Sequence, residues 1–592
     1  MSRPATPKGH EDLALWAIAV SVAAAALCWL GGAAAIAVSG HSVPSGRELA
    51  GLEALAHPAH PGRAWGVAVG PTVLYWSLTV LVWATAGALA WGAWRAWRAL
   101  GTIGQGARAD DPRRRAGLAS RRQVTLAAGP KALLAKAKVL RPSLSRPRAA
   151  DVGIALGRSQ GVQCWSGARD SIVILGPPGA GKGLHLVIPT ILDAPGPVIT
   201  TSTRPDNLAV TLAARTRRGP VAVFDPQGLA PGVPSATRWS PVRGCEAPRV
   251  AMARAVALVG EAGAGTENDT FWTAQTTRAT QCLLHAAALA GRPPLDLYRW
   301  SLSPASAKEA VEILREDRRA GLAWSRALDA IVTAEARTRD PTWAMVSNTF
   351  AALADPAVLD AVSPGPDEVF EPAKFLASDG AVFLLGTAAG ASATARLVSA
   401  FVEDVVETAR RLAAASVGAR LDPPLSLVLD EAANYPLPSL PALMSEGGGT
   451  GITTVVVLQS LAQARSRWGS ESAQAIWDSA TVKVVLGGQG SADDLADMSR
   501  LLGEVEVAET TQSHSRRGEG SVTVSTRSRP ILTPAQLREL PFGLGVLILR
   551  SAPPIMLALS PWTTRRDAAV LEADKARLEA TVAAAVAGGL DA

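Results

Sequence analysis

The chain is poor in the residues that most readily commit a sequence to one chemistry. It has 4 cysteines in 592 residues, Cys28, Cys164, Cys245 and Cys282, and none stands in CxxC spacing. That excludes a zinc ribbon and a disulfide framework, and leaves four reduced thiols. Aromatic residues are 5% of the chain, with tryptophan densest in its first hundred residues, so no platform for stacking the bases of a single strand is visible. Positive charge is scarce where it would matter. The formal net charge is +7, yet the segment from Arg95 to Ala150 alone carries fourteen Lys or Arg against Asp110 and Asp111, a balance of +12 that leaves −5 for everything else. Whole-chain basicity is therefore no sign of a DNA-binding surface outside that segment.

Apolar residues are plentiful: 48% of the chain, with mean hydropathy +0.17, high for a wholly soluble protein of this length. Two uncharged runs account for much of this, Leu13 to Val38 and Thr72 to Trp94. Each is long enough to cross a bilayer, which takes about 20 residues. The first lacks a small-residue cleavage signal and is long for a signal-peptide core, so it reads as a retained span. Trp91, Trp94 and Trp97 lie where an interfacial aromatic belt would sit. The loop between the runs, Ser39 to Pro71, has only Arg47 and Arg63 as cations. The positive-inside rule then puts both termini in the cytoplasm, at a plasma membrane. Topology and attraction to anionic lipid suffice to explain the basic segment.

Beyond residue 150 the composition becomes that of a globular α/β protein. Short β-branched runs recur at Ser171–Leu175, Pro197–Thr201, Pro220–Phe224, Ala381–Leu385, Leu425–Leu429, Thr453–Leu458, Thr481–Leu486 and Val546–Leu549. Helix-length intervals separate most of them, which predicts a mostly parallel sheet. Between Cys245 and Phe375 only helix-like stretches occur, too long an interval for a loop. We expect an inserted all-α domain over 246–375, dividing a nucleotide-binding domain of 151–245 and 376–560. A membrane anchor (1–98), a basic segment (99–150) and a charged, alanine-rich tail (561–592) complete the organisation.

The first strand leads into Gly176-Pro177-Pro178-Gly179-Ala180-Gly181-Lys182-Gly183. A strand, a glycine-rich turn and a helix start aim several backbone N–H groups at one anion, and the GxxxxGK spacing is that of a Walker A loop, with Lys182 placed for the β- and γ-phosphates. Its final position is irregular, since Gly183 stands where a Ser or Thr hydroxyl would meet Mg²⁺. The plainer reading is a turn that binds nothing. Against that, Leu425–Leu429 ends in Asp430-Glu431. In a P-loop ATPase the first acid would hold Mg²⁺ and the second would activate water, whereas the alternative for such a pair is a helix N-terminus. Gln459, after the next strand, is placed to sense the γ-phosphate. Gly447 to Gly451 reads as a flexible turn, and the polar stretch Glu509 to Pro530, with Arg516, Arg517, Arg527 and Arg529, as a mobile hairpin.

Several stretches together resemble the TraG/TraD-like coupling proteins of type IV secretion and conjugation, in particular their actinobacterial branch. They are Gly153-Ile154-Ala155-Leu156-Gly157-Arg158, Gly176 to Gly183 continuing as Val187-Ile188-Pro189-Thr190, Thr200 to Asp206, Phe224-Asp225-Pro226-Gln227-Gly228, Leu427 to Asn434, Leu458 to Gln463, and Pro530 to Pro534 with Leu540-Pro541. The resemblance implies a RecA-like P-loop ATPase core with an inserted all-α domain and two N-terminal transmembrane helices. It further implies a homo-hexamer that passes a relaxase-bound single DNA strand to a secretion channel, using ATP and Mg²⁺. Lys182, Glu431 and Gln459 would be catalytic, Gly176 to Gly183 would cradle the nucleotide, and Asp430 would hold the metal. In this family a Walker A ending in Lys-Gly is common. One departure stands out: many relatives carry an Arg in the glycine-rich turn, where this chain has Gly448, which implies either slow turnover or a substitute acting across a subunit interface, for which Arg465, Arg467 and Arg500 are candidates by proximity in sequence alone. Two other readings compete, a nucleotide-switched receptor for secreted proteins and an FtsK-like double-strand translocase. The tail after Asp567 is short for the DNA reader of the latter.

Overall fold

The computed structural model describes residues 9–101, 111–260, 267–366, 368–387, 392–514 and 520–590. Arg108, Asp110, Arg516 and Arg517 lie outside the described residues, as do the side chains of Trp94 and Trp97. The chain divides into two compact units, Met1–Asp111 and Pro112–Ala592.

The first unit is built on two long helices, Gly9–Val38 and Thr72–Gly101. Within them, Ser21–Val38 and Thr72–Ala93 are long and apolar enough to cross a membrane. Small residues let the helices approach: a Cβ on Gly31 would stand 2.7 Å from the Thr79 backbone, and one on Gly32 would stand 2.4 Å from the Trp65 ring. The intervening loop folds over this crossing through Ala50–Ala56 and Gly62–Trp65. Trp65 is fully buried there and donates Nε1–H to the Tyr75 hydroxyl at 3.0 Å.

In the second unit an 11-stranded sheet is the organising layer. Its strands are β1 (Gly153–Ser159), β2 (Val162–Gly167), β3 (Ile172–Leu175), β4 (Val198–Ser202), β5 (Val221–Phe224), β6 (Ala381–Leu385), β7 (Leu425–Leu429), β8 (Ile452–Leu458), β9 (Val482–Leu486), β12 (Leu544–Leu549) and β13 (Ile555–Ala558). The spatial order is β2-β1-β13-β12-β9-β3-β8-β7-β4-β6-β5. From β9 to β5 all pairings are parallel. Most residues there are buried on both faces, as continuous Val/Ile/Leu runs require. From β9 to β2 the pairings are antiparallel, so the sheet is mixed. β1 and β2 form a hairpin whose two-residue turn, Gln160-Gly161, has positive φ at both positions, the geometry that matches strand twist. Separately, β10 (Glu504–His514) pairs with β11 (Gly520–Pro530) as a two-stranded antiparallel ribbon.

Between β5 and β6 the described residues form helices and no named strand, from Pro248–Val259 to Pro372–Leu376. They share one core with the sheet, in which Trp239 stacks on Phe401 at 5.1 Å and reaches Asp404 with its indole N–H. The basic segment is not a free tether in its second half. Arg141, mostly buried, bonds Asp422 and the carbonyl of Pro195. All four cysteines are free and buried; burial lifts the thiols of Cys164 and Cys245 to about 11 and about 12, which keeps them inert. The C-terminal helix Ala568–Leu590 packs on Asp206–Thr216 and anchors Arg217 through Asp574 at 2.9 Å.

The glycine-rich stretch after β7 corrects the sequence reading. It is not a flexible turn but the end of a helix, Leu440–Thr450, closed by Gly451 in the left-handed region at φ 85°. Helix survives the poor propensity of three glycines because it packs where side chains do not fit. A Cβ on Gly448 would stand 2.0 Å from the Arg169 carbonyl oxygen, while Gly449 faces open space. Gly448→Ala should therefore lower stability by about 1–3 kcal/mol through overpacking. Gly449→Ala should instead raise it by up to ~1 kcal/mol through helix propensity. Chemical denaturation of the detergent-solubilised chain reads both.

Candidate nucleotide site

The site is set by register. Leu175 of β3 pairs with Leu458 of β8, and Leu429 of β7 pairs with Val456 of β8 and Thr201 of β4. Four neighbouring parallel strands thus end within two residues of one another, and the residues that follow, Gly176, Gln459, Asp430 and Thr203, lie together beyond their carboxyl ends. Ligands of open parallel sheets bind in such a place.

The loop after β3 continues the ladder for one bond, Gly176 N–H to the Leu458 carbonyl at 3.1 Å, and then turns away. Gly181 permits that turn: its φ is +84°, and an added Cβ would lie within 3.0 Å of both His185 and Phe542. Lys182 extends its ammonium over the loop, donating to the carbonyls of Gly176 at 2.6 Å and Pro177 at 2.9 Å. Burial lowers its pKa, with Asp430 and Glu431 pulling the other way. The chain then makes a π-helical turn, Gly183–Val187, before the helix Ile188–Asp193. His185 is buried in this turn against Phe542, its ring nitrogens without partners among the described residues, and burial lowers its pKa.

At the end of β7, Asp430 Oδ2 accepts from Asn207 Nδ2 at 2.8 Å, and its backbone carbonyl accepts from Thr201 Oγ1 at 3.0 Å. Burial, opposed by the Asn207 hydrogen bond and aided by Glu431, lifts the Asp430 carboxyl to about 6. Its other oxygen accepts from the Glu431 N–H at 3.1 Å, and a carboxylate so deeply buried with only neutral donors is suited to a cation. Glu431 adopts φ 50°, ψ 45°, a left-handed conformation that costs a non-glycine residue roughly 1–2 kcal/mol. Three donors converge on its carboxylate: Thr203 Oγ1 at 2.5 Å, Asn434 Nδ2 at 3.0 Å and Gln459 Nε2 at 3.4 Å. Tyr435, just beyond, closes the floor by donating its hydroxyl to the carbonyls of Ser202 and Gly386.

The structure therefore brings together Gly176 to Gly183, Asp430, Glu431 and Gln459. Sequence reasoning assigned no role to Thr203, Asn207 or Tyr435. Their signal lay in the stretch Thr200 to Asp206 and in the residues after Glu431, but their relevance depends on β4 lying beside β7. Of the arginines considered for a role across an interface, Arg465 forks onto the buried Asp494 and Arg500 pairs with Asp497. Arg467 has no ion pair among the described residues.

Comparison with known proteins gives the same direction. Residues 424–542 match the family model described as the TraM recognition site of TraD and TraG. The match supports a TraG/TraD-like coupling protein family for this chain. That segment includes β7, Asp430, Glu431, the glycine-ended helix and Gln459. No curated protein matches by sequence. Among solved structures, the chain is similar to the bacterial conjugative coupling protein TrwBdeltaN70 in its unbound form, at TM-score 0.52 and 20% identity, covering 70% of this chain and 89% of that one. It is similar to the plasmid coupling protein TrwB with the ATP analogue ADPNP, at TM-score 0.51 and 19% identity over 71% and 91%. The complex of TrwB with ADP and Mg²⁺ matches at 0.50 and 21% over the same shares. At these identities the likeness is one of fold.

Tyr435→Phe keeps the ring and removes the hydroxyl that ties two strand ends together. It should lower the stability of the protein by about 1–3 kcal/mol, because the buried Gly386 carbonyl loses the hydroxyl, while that of Ser202 keeps the Gly386 N–H at 3.2 Å. Thermal unfolding of the solubilised chain at neutral pH measures it.

Proposed function

We propose that this chain is a membrane-anchored ATPase that couples single-stranded DNA with an attached relaxase to a type IV secretion or conjugation channel and drives its transfer by ATP hydrolysis. The observation that carries the reading is the neighbouring ends of β3, β8, β7 and β4, within two residues of one another, which gather a glycine-rich loop, two carboxylates and an amide in one place. The loop from Gly176 to Gly183 would cradle the phosphates with its backbone N–H groups, and Lys182 would leave its own carbonyls for the β- and γ-phosphates. Asp430 is the metal ligand in this scheme; bound Mg²⁺ would neutralise charge on the phosphate oxygens. Glu431 would orient the attacking water and take its proton. Gln459, bonded to the same carboxylate, would report the γ-phosphate to the rest of the fold. The two apolar helices would cross the plasma membrane with the ATPase unit in the cytoplasm, and six copies would form the working assembly.

A second reading has one observation in its favour. Gly448, where the resembling family often has Arg, leaves no room for a side chain, and an arginine finger is worth about 10³–10⁵ in rate. A receptor that docks secreted proteins and uses nucleotide as a switch would not need one. If the chain is a motor, Arg467 is, of the three arginines considered, the one without an ion pair among the described residues that could act in trans.

ATP hydrolysis by the solubilised full chain, with single- or double-stranded DNA at several salt concentrations, separates these readings. Stimulation by single strands that fades with salt and is lost in Lys182→Ala and Glu431→Gln is the expected result. Stimulation by duplex alone would favour an FtsK-like translocase, and assembled rings that bind ATP but stay inactive would favour the receptor. Thr203→Val, which frees one side of Glu431, should lower kcat roughly tenfold and leave KM unchanged.

A further inference from the structure

Gly183 leaves a gap in the metal site that the sequence alone does not fill. Its backbone gives no reason for glycine, since its φ is not in the left-handed range, and a Cβ built there would meet a single neighbour within 4 Å, Asn207 Oδ1 at 3.7 Å. The space of the missing hydroxyl is thus open and faced by an oxygen. Asn207 opens the helix Asp206–Thr216 and is only 2% exposed. Its position is fixed at three points: its backbone N–H bonds Asp206 Oδ1 at 3.0 Å, its carbonyl accepts from Thr211 Oγ1 at 2.7 Å, and Nδ2 donates to Asp430 Oδ2 at 2.8 Å. That last bond also decides which way the amide points. Only nitrogen can face the carboxylate, so oxygen faces position 183. Asn207 Oδ1 accepts no hydrogen bond from any described residue. The neighbouring hydroxyls of Thr201 and Thr203 are already committed to Asp430 and Glu431.

We propose that Asn207 replaces the Walker A hydroxyl as a ligand of the nucleotide-bound Mg²⁺, through its side-chain oxygen. The inference rests on the nucleotide-and-magnesium reading above. A neutral amide oxygen beside a carboxylate is a suitable donor pair for a hard divalent cation. The arrangement moves one ligand from the phosphate loop to the strand-to-helix junction after β4, beside Asp430 at the end of β7.

The test uses Mn²⁺ as a paramagnetic stand-in and ADP as the nucleotide, with the solubilised full chain. Electron paramagnetic resonance titration should show Mn²⁺ binding to the wild-type ADP complex about tenfold or more tighter than to Asn207→Ala, while ADP affinity without metal stays equal. Adding Gly183→Ser to Asn207→Ala should restore most of the loss, because it supplies an oxygen from the other side of the gap without restoring the bond to Asp430. Unchanged Mn²⁺ affinity in Asn207→Ala overturns the proposal. So does a loss that Gly183→Ser fails to recover, which would mean that Asn207 only positions Asp430. Wild-type protein that takes up no ADP, with or without metal, would overturn the nucleotide reading and this proposal together. A measurement independent of Asn207 variants is the ¹³C hyperfine coupling between bound Mn²⁺ and ¹³C-asparagine in an Asn434→Gln background. Its presence is expected, and its absence would also overturn the assignment.

Discussion

Everything at the candidate nucleotide site hangs from a hydrogen-bonded ladder that is buried on both faces. The strands β3, β8, β7 and β4 can end together only because their registers are fixed, and register is fixed because side chains on either face are packed in the core. A slip of one residue in β7 would turn Asp430 and Glu431 to opposite faces of the sheet. The ladder is therefore the constraint on which the loop, the acids and the amide all depend, and the polar residues that serve the site begin where the buried apolar runs stop.

That division explains which parts of the molecule could be read from sequence. The eight runs picked out there are β3 to β9 and β12, strands whose buried, β-branched composition announces itself without any partner. The strands that escaped notice, β1, β2 and β13, form the antiparallel edge; burial is interrupted at Arg158 in β1 and at Val162 and Gln163 in β2, and β13 is a run of only four residues without a β-branched pattern beyond Ile555. The phosphate loop and the acid pair were visible because each is a local pattern at one strand end. Asn207 and Thr203 were not, because their place opposite Asp430 and Glu431 follows from strand order, with more than two hundred residues between partners. The helix ending in Gly447 to Thr450 was misread for a related reason. Glycine propensity is a local penalty of about 1 kcal/mol per residue, and close contact with a distant carbonyl overrides it.

The two acids solve different problems in the same few ångströms. Asp430 is buried deeply enough that its charge is poorly supported, with Asn207 Nδ2 donating to one oxygen and the Glu431 N–H to the other. Glu431 is better supplied, with three donors on its carboxylate, yet its backbone is held left-handed. Strain of this kind persists only where surrounding structure over-determines it, and Thr203, Asn434 and Gln459 are that surrounding structure. They follow β4, β7 and β8 in turn, so any shift of one strand end relative to another moves Glu431. The arrangement gives the site a direct mechanical link to three separate elements.

The same close packing bears on how charge could be delivered between copies of the chain. The helix Leu440–Thr450 ends against main chain: Gly448 abuts the Arg169 carbonyl, and the buried Arg420 guanidinium reaches the carbonyls of Gly448, Gly449 and Ala168. Arg420 meets the need of a helix C-terminus for a cation, but it does so inward, with burial lowering its pKa. An arginine side chain at 448 would have to displace both the carbonyl of Arg169 and this cap. The position is closed by packing, so a cation serving a neighbouring site must come from a surface that packing leaves free. Arg467, on the helix after Gln459, meets that condition, while Arg465 and Arg500 are held by carboxylates of their own chain.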